Sequence, residues 1–211
     1  MKKDRTNLIL VIIFIIGLSV MLYPTVSDYW NSRTQSRAVA TYNETVESMS
    51  EKDYEEMFQE AEAYNEALSQ VSMPFVNFDQ VAGYEDILDV SGTGIMGYVT
   101  IEKIRVELPI YHGTEDSVLQ IAAGHLQGSS LPIGGAGTHS VISAHRGLPS
   151  ARLFTELDEL EVGDTFTITV LDRQMTYQVD QIRIVEPQEI EELQIDPDKD
   201  YCTLMPCTPY G

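Results

Sequence analysis

Cysteine and positive charge are both scarce in this sequence. Its 211 residues contain 2 cysteines, and 13 Lys and Arg face 33 Asp and Glu, giving a net charge of -20. Two cysteines exclude a small domain stapled by disulfides. An excess of negative charge repels phosphate backbones, so a sequence-independent nucleic-acid binder is excluded. A hydrophobic content of 43% excludes an acidic disordered chain. The sequence therefore predicts an acidic globular domain.

Charge is absent from Leu8 to Val26, close to the N-terminus. The apolar part, Leu8–Tyr23, is near the lower limit of about 17 residues for a helix that spans a bilayer. Tyr23 and Trp30 suit a membrane interface. Basic residues precede the run, which predicts a cytoplasmic tip with the rest of the chain outside: Lys2, Lys3 and Arg5.

One alternative for this segment is a buried core helix, and another is a cleaved signal peptide with a small-residue site at Ala38-Val39-Ala40. That site lies farther from the apolar run than a signal peptidase normally reaches, so an uncleaved anchor is the favoured interpretation. We expect a single-pass protein of the cell membrane, with membrane lipid as one partner and an extracytoplasmic domain.

Three regions follow from the pattern of the chain: a cytoplasmic tip and anchor (1–24), a helical region with a lid-like loop (25–95), and a β domain (96–211). Neither Gly nor Pro occurs from Tyr42 to Val71, where apolar residues recur at helical spacing. Ser50 and Asp53 predict a capping box within this stretch. The segment Thr25–Thr41 is compatible with a linker or a helix.

The C-terminal region alternates between polar and apolar residues, as β-strands do. Its short strands and turns predict a mainly β fold, a closed β-barrel with short helices. We expect a helix at Ala151–Leu160, capped by Ser150, and a bend or sheet edge at Pro109. The expected strands are Met96–Ile101, Ile104–Ile110, His139–Ala144, Phe166–Val170, Met175–Val185 and Tyr201–Met205.

Cofactor and metal motifs are weak. Gly92–Gly97 matches G-x-G-x-x-G, but a strand follows it where a dinucleotide site needs a helix. Asp196, Asp198 and Asp200 begin like a calcium loop, which then lacks the required glycine and glutamate. The four histidines have no partners at zinc-like spacing. We therefore expect neither a cofactor nor a metal.

The two cysteines differ in their setting. Cys202 and Cys207 lie five residues apart on one extended segment, about 16 Å at 3.3 Å per residue, which is too far for a disulfide. Cys202 suits a core, whereas Cys207 lies at a strand end and is a candidate nucleophile. Such a thiol needs a partner that carries a proton. His145 and His139 are both candidates, and spacing alone does not decide between them.

Several segments resemble the class C sortases, the pilin-polymerising transpeptidases. The resemblance runs from the anchor to the last residue, and its histidine and cysteine motifs are highly specific. The resembling segments are Tyr23–Ser27, Tyr98–Ile104, Ile110–Thr114 (IYHGT), Ser130–Gly135 (SLPIGG), Ala144–Ala151 (AHRGLPSA) and Thr203–Gly211 (TLMPCTPYG).

The resemblance implies a β-barrel on the outer face of a Gram-positive membrane, acting on LPxTG-like sorting signals of pilin or surface proteins. Cys207 would attack the carbonyl between Thr and Gly and form a thioacyl enzyme. His145 would protonate the leaving amine and later assist the incoming one. The acceptor would be a lysine amine of another subunit.

Three positions depart from the family pattern. Pro206 stands where the family usually has Thr before the cysteine. Met73, Pro74 and Phe75 occupy the place of the family's Asp-Pro-aromatic lid, with Met for Asp. No arginine follows Arg183, although the family places an essential one after the cysteine. The chain thus resembles a sortase shortened by one strand, and the alternative function is a non-catalytic, membrane-tethered module that binds sorting signals.

Overall fold

One long helix carries the apolar run. The computed structural model describes residues 2–90, 92–186 and 189–207, and it begins with α1 (Lys2–Glu47), which continues through Pro24. Within the described part of the chain, α1 is the one helix long and apolar enough to cross a membrane, with a window of mean hydropathy 2.6. The segment Thr25–Thr41 is therefore helical.

The C-terminal half of α1 packs on the β domain. Val39, Tyr42 and Val46 are buried. The Tyr42 hydroxyl donates to the Met96 carbonyl at 3.1 Å and accepts from the Leu171 amide at 2.7 Å. Burial raises the pKa of Tyr42 well above its usual range. This paired hydroxyl joins the helix to two separate parts of the sheet.

The second helix, α2 (Glu51–Ser69), begins where the capping box was predicted. The Ser50 amide donates to Asp53 at 2.9 Å, and the Asp53 amide donates to the Ser50 hydroxyl at 3.3 Å. The box is confirmed, and it satisfies amides that a helix start leaves without partners. The buried face of α2 consists of Phe58, Ala61, Tyr64, Asn65 and Leu68.

The remaining helices are short. Two are single α turns, α3 (Pro74–Asn77) and α4 (Asp116–Leu119). The 3₁₀ turns are Phe78–Gln80, Glu102–Ile104, Leu157–Glu159 and Glu191–Leu193.

Seven strands form one sheet in the order β6-β5-β1-β2-β3-β4-β7, a nearly closed barrel. The barrel closes incompletely between β6 and β7, where the Tyr177 hydroxyl donates to Asp200 at 2.9 Å across a cleft of about 510 Å³. The strands are β1 (Ile95–Ile101), β2 (Val106–His112), β3 (Ala123–His125), β4 (Thr138–His145), β5 (Thr165–Val170), β6 (Arg173–Gln178) and β7 (Asp200–Cys207). The expected mainly β barrel is confirmed.

Pro109 lies inside the sheet, in β2, where we expected an edge or a bend. It pairs with Tyr98 of β1, whereas β3 pairs only with Ile110 to His112. At Pro109 the strand thus has a partner on one side alone, which suits a residue without an amide donor.

Two expectations about local structure are wrong. The segment Ala151–Leu160 is not an α-helix but a series of turns ending in one 3₁₀ turn, because Leu153 adopts a left-handed φ of 41°. The strand expected at Met175–Val185 ends at Gln178. Beyond it Ile184 is fully exposed, so its apolar alternation has no packing surface among the described residues.

Candidate active site

Two neighbouring parallel strands, β4 and β7, carry the candidate site. Their pairing runs without a register shift from Thr138 opposite Asp200 to His145 opposite Cys207. Paired residues of adjacent strands lie about 4.8 Å apart. The register therefore brings the backbones of His145 and Cys207 side by side, although more than sixty residues separate them in sequence.

Alternation along the two strands defines two faces. Ile142, Ala144, Cys202 and Leu204 belong to the face that packs against the hydrophobic core. The other face takes the odd-numbered positions, 139 to 145 on β4 and 201 to 207 on β7. Because β4 is regular, His139 and His145 share this second face.

His139 is buried and fully engaged at the Thr138 end of this face. Its Nδ1 lies 3.1 Å from the Gln194 carbonyl, and its Nε2 lies 2.8 Å from the Thr203 hydroxyl. The ring of Tyr201 packs against it at 5.5 Å between centroids. Burial lowers the pKa of His139, which favours the neutral ring. Its role in the structure is to hold β7 and the preceding segment in place.

Two further histidines are also engaged at both ring nitrogens. His125 contacts the Tyr84 hydroxyl at 2.9 Å and a backbone carbonyl at 2.8 Å on its other side. Burial lowers the pKa of His125 to about 4. His112 lies 3.0 Å from the Gly94 carbonyl and 2.8 Å from the Ile87 carbonyl. The hydrogen bonds of both rings join the loop that precedes β1 to the sheet.

His145 differs from the other three. It is half-buried, and its Nδ1 is shielded from solvent without a hydrogen-bond partner among residues 2–90, 92–186 and 189–207. The backbone around it is fixed, because the Phe154 amide donates to the His145 carbonyl at 3.1 Å and Arg146 pairs with Asp158 at 2.6 Å. The structure thus places an imidazole with uncommitted hydrogen-bonding capacity opposite Cys207.

The two cysteines occupy different positions on β7. The strand is continuous through both, so their Cα atoms lie about 16 Å apart and cannot form a disulfide. Cys202 is half-buried and lines the cleft between β6 and β7. Burial and the charge of Asp200 raise the pKa of its thiol, which makes Cys202 a poor nucleophile. Cys207 holds the register position beside His145.

The lid candidates Pro74 and Phe75 open α3 and are half-buried. They lie against the backbone of Gly128, where an added Cβ would come within 2.8 Å of the Pro74 carbonyl oxygen and 2.9 Å of the Phe75 Cα. Met73, which stands in place of the family's Asp, is 62% exposed and has a left-handed φ of 55°. Contact with Gly128, and not an acidic side chain, holds this segment.

Sequence reasoning missed two positioning residues. Asn65, buried on α2, donates to the Leu131 carbonyl at 3.1 Å and accepts from the Leu131 amide at 2.7 Å. This amide clamp fixes the SLPIGG segment, and a polar residue inside the apolar stripe of α2 was the available signal. Gly128 offered no signal, because its importance depends on a segment more than fifty residues away.

Metal-binding geometry is not found in the described part of the chain, where no three His, Cys, Asp or Glu side chains cluster suitably. The G-x-G-x-x-G motif leads into strand β1. Neither the arrangement of potential metal ligands nor the glycine motif points to a ligand site beside His145 and Cys207.

Comparisons with known proteins identify the family of the chain. Residues 99–211 match the sortase domain. Sortase D of Bacillus subtilis (strain 168) is 29% identical over 115 residues, covering 54% of this chain and 55% of that protein. Sortase A of Streptococcus agalactiae serotype III (strain NEM316) is 28% identical over 117 residues, covering 54% and 47%. The matched region spans about half the length of these two relatives.

Solved structures of class C enzymes are similar over most of the chain. Sortase C1 from Streptococcus agalactiae has a TM-score of 0.74 and 47% identity, covering 83% of this chain and 91% of that one. Sortase C-1 from Streptococcus pneumoniae has a TM-score of 0.72 and 41% identity, covering 82% and 91%. Sortase C from Clostridium perfringens SM101 has a TM-score of 0.67 and 35% identity, covering 83% and 91%.

Proposed function

The chain belongs to the sortase family, and we propose that it is a membrane-anchored, class C-like cysteine transpeptidase. One observation carries this proposal: the β4–β7 register sets Cys207 opposite His145. The other three histidines have both ring nitrogens engaged in hydrogen bonds. His145 is therefore the residue available for proton transfer.

In the proposed reaction, the thiolate of Cys207 attacks the threonine carbonyl carbon of an LPxTG-like signal. The Thr–Gly C–N bond breaks, the leaving amine takes a proton from His145, and a thioester remains on Cys207. An acceptor lysine amine then attacks the thioester carbonyl and transfers a proton to His145. An isopeptide bond forms and the thiolate leaves. Such proton transfer accelerates a reaction by roughly 10²–10⁴-fold.

The proposed partners follow from family membership and from α1. The substrates are sorting signals of pilin or surface proteins, and the acceptor is a lysine of another subunit. The uncharged N-terminal part of α1 supports a single-pass anchor, with Lys2, Lys3 and Arg5 on the cytoplasmic side. The catalytic domain then faces outward, where both substrates are displayed.

We further propose that Pro74 and Phe75 form a lid that limits access to Cys207. The role is carried over from the family's lid position, and contact with the Gly128 backbone fixes the segment without a charged anchor. Exposed apolar side chains beside them, Val76 and Phe78, leave the lid with little packing on its outer side. Such a weakly held lid can open when a peptide competes for its position.

A mass shift on the thiol tests the enzyme proposal. The intact chain, incubated with an LPxTG peptide, is expected to gain the acyl mass on Cys207. Cys207→Ala removes the adduct, whereas the matched control Cys202→Ala keeps it, because Cys202 lies on the opposite face of β7. His145→Ala is expected to slow acylation by roughly 10²–10⁴-fold.

An intact chain that binds the peptide without forming an adduct would refute the enzyme proposal. It would leave the alternative function, a module that recognises sorting signals without turnover. Peptide binding is measured separately by fluorescence anisotropy, so recognition and chemistry are scored independently.

A further inference from the structure

Helix α1 contacts the catalytic domain immediately after its exposed part ends. Every residue from Thr6 to Val26 is exposed. Asp28 then accepts from the Arg152 amide at 2.9 Å, and Asn31 donates to the Ser150 carbonyl at 2.8 Å. Both contacts fall on the loop that follows His145. The helix is therefore joined to the active-site end of the domain without a flexible linker.

The length of the uncharged segment fixes where a bilayer would lie. Thr6–Ser27 carries no charge, and at 1.5 Å per residue it spans about 33 Å. A hydrocarbon core is about 30 Å thick. Asp28, the first charged residue after this segment, then marks the outer boundary of the hydrocarbon core. It lies within one helical turn of the contacts to Ser150 and Arg152.

Aromatic side chains occupy this boundary. Tyr29 and Trp30 are 60% and 71% exposed, so most of each side chain lies free of the domain. Tyr and Trp are enriched at membrane interfaces, where an apolar ring with a polar tip matches the headgroup layer. Arg33 lies over the Tyr29 ring at 5.4 Å and donates to its hydroxyl at 3.1 Å.

The charge where α1 meets the loop after β4 differs from the net charge of the chain. Arg105 and Arg152 line a common cleft with Glu156, which pairs with Arg152. Together with Arg33 and Asp28, these side chains give three positive and two negative charges, in a chain whose net charge is -20. A strongly acidic surface would be repelled by anionic lipid, so this near-balanced cleft is the part of the domain end that is suited to approach a membrane.

We propose that the catalytic domain rests directly on anionic phospholipid headgroups through a membrane-facing end. This end comprises Tyr29, Trp30 and Arg33 of α1 with Pro149 and Arg152 of the loop after β4. The inference rests on the proposed anchor and adds the orientation of the domain. It follows that His145 is held close to the bilayer, so the enzyme acts on sorting signals displayed immediately outside the membrane.

The chain contains a single tryptophan, Trp30, which reports on depth without labelling. The full chain is reconstituted in phosphatidylcholine–phosphatidylglycerol vesicles that carry a nitroxide either on the headgroup or deep in the acyl chain. Trp30 is expected to be quenched more strongly by the headgroup nitroxide. If neither nitroxide quenches Trp30, the anchor itself fails, and with it the membrane part of the proposed function.

Moving the tryptophan tests the orientation of the domain. In a Trp30→Phe background, Pro149→Trp is expected to show several-fold stronger headgroup quenching than the control Ala136→Trp. Ala136 is also exposed but precedes β4, at the end opposite His145. Ile121→Trp gives a second readout at the same end if Pro149→Trp does not fold, because Ile121 is 48% exposed and its carbonyl accepts from Gln35 of α1. Equal quenching at both ends, with Trp30 still quenched, overturns this inference and leaves the anchor standing.

Arginine substitutions test the lipid chemistry. In the Pro149→Trp protein, replacing Arg105 and Arg152 by Gln is expected to reduce headgroup quenching in vesicles that contain phosphatidylglycerol. Added salt is expected to have the same effect, because it screens charges at an exposed surface. Quenching that is indifferent to both changes contradicts a role for anionic headgroups.

Discussion

The two ends of the β4–β7 strand pair carry one histidine each on the same face. The two rings differ in burial and in hydrogen bonding. At the Thr138 end, both ring nitrogens of His139 are hydrogen-bonded and the ring is buried. At the other end, His145 is half-buried with Nδ1 unpartnered among the residues that the structure describes, and it lies opposite Cys207.

This difference indicates that one histidine of β4 contributes to stability and the other is available for chemistry. A satisfied, buried imidazole stabilises the pairing but has no capacity to exchange a proton with a substrate. An unsatisfied polar atom costs free energy and persists where it has a use. The comparison therefore favours strand pairing as the role of His139 and supports the proposed proton transfer by His145, and the two roles can be tested separately.

The largest effects are expected from replacing His139 and His145 by alanine, one at a time. His139→Ala loses two hydrogen bonds and leaves a cavity, which should lower the free energy of unfolding by about 2–4 kcal/mol. Acylation per folded molecule should change little. His145→Ala should do the reverse, with the activity loss given above and an unchanged denaturation midpoint.

Urea denaturation and peptide acylation, measured on both variants, check this pair of outcomes. A His139→Ala protein that folds normally but fails to acylate would reverse the two assignments. Cys202→Ala serves as the control for a conservative change on β7.

Low pH is expected to lower the free energy of unfolding through the buried, hydrogen-bonded histidines. Burial lowers the pKa of His125 to about 4, against about 6.5 in the unfolded chain. The unfolded state therefore takes up the proton first, and stability present above pH 6.5 is lost as the pH falls toward 4. By linkage, His125 alone costs about 2 kcal/mol at pH 5, and His139 acts in the same direction.

Urea midpoints at pH 7.5 and pH 5 measure this loss. The carboxyls of Asp53 and Asp164, whose pKa values are lowered by hydrogen bonds to Ser50 and Lys103, act below their ordinary value of 3.8 and so do not interfere. Identical midpoints at the two pH values would show that the buried imidazoles do not titrate as their surroundings dictate.

The smallest effect concerns the proposed lid. Gly128→Ala should displace Pro74 and Phe75, and we expect Cys207 to react several-fold faster with iodoacetamide in a Cys202→Ala background. Gly135→Ala is the matched control, because its φ of 105° resembles the 96° of Gly128 and it has open space around it. Equal alkylation rates in the two variants would argue against a lid.

Local patterns in the sequence predicted local structure well. Alternating residues identified β1, β5 and the final strand, and the Ser50–Asp53 pair located the start of α2. The helix expected at Ala151–Leu160 failed because the buried Leu153 adopts a left-handed conformation that composition does not reveal. The strand expected beyond Gln178 failed because its apolar alternation has no surface to pack on.

The candidate site was only partly predictable. Motifs identified Cys207 and two histidines, but the choice between His139 and His145 depends on which residue of β7 faces each of them. Likewise, the contact of Gly128 with Pro74 and the clamp between Asn65 and Leu131 join distant segments. Such relations arise from tertiary packing, which spacing along one chain does not encode.

The parallel pairing of β4 with β7 also has a consequence for folding. Among the described residues β7 is the last strand, and it stands at one end of the sheet order with β4 as its partner. Contacts between residues so far apart in sequence carry a high entropy of loop closure and tend to form late. Only the pairing of β1 with β5 joins residues farther apart in sequence, so Cys207 and His145 become neighbours through one of the two longest-range pairings of the described sheet. Catalytic activity would then report a late step of folding, and a partly folded chain emerging from the membrane would be inert.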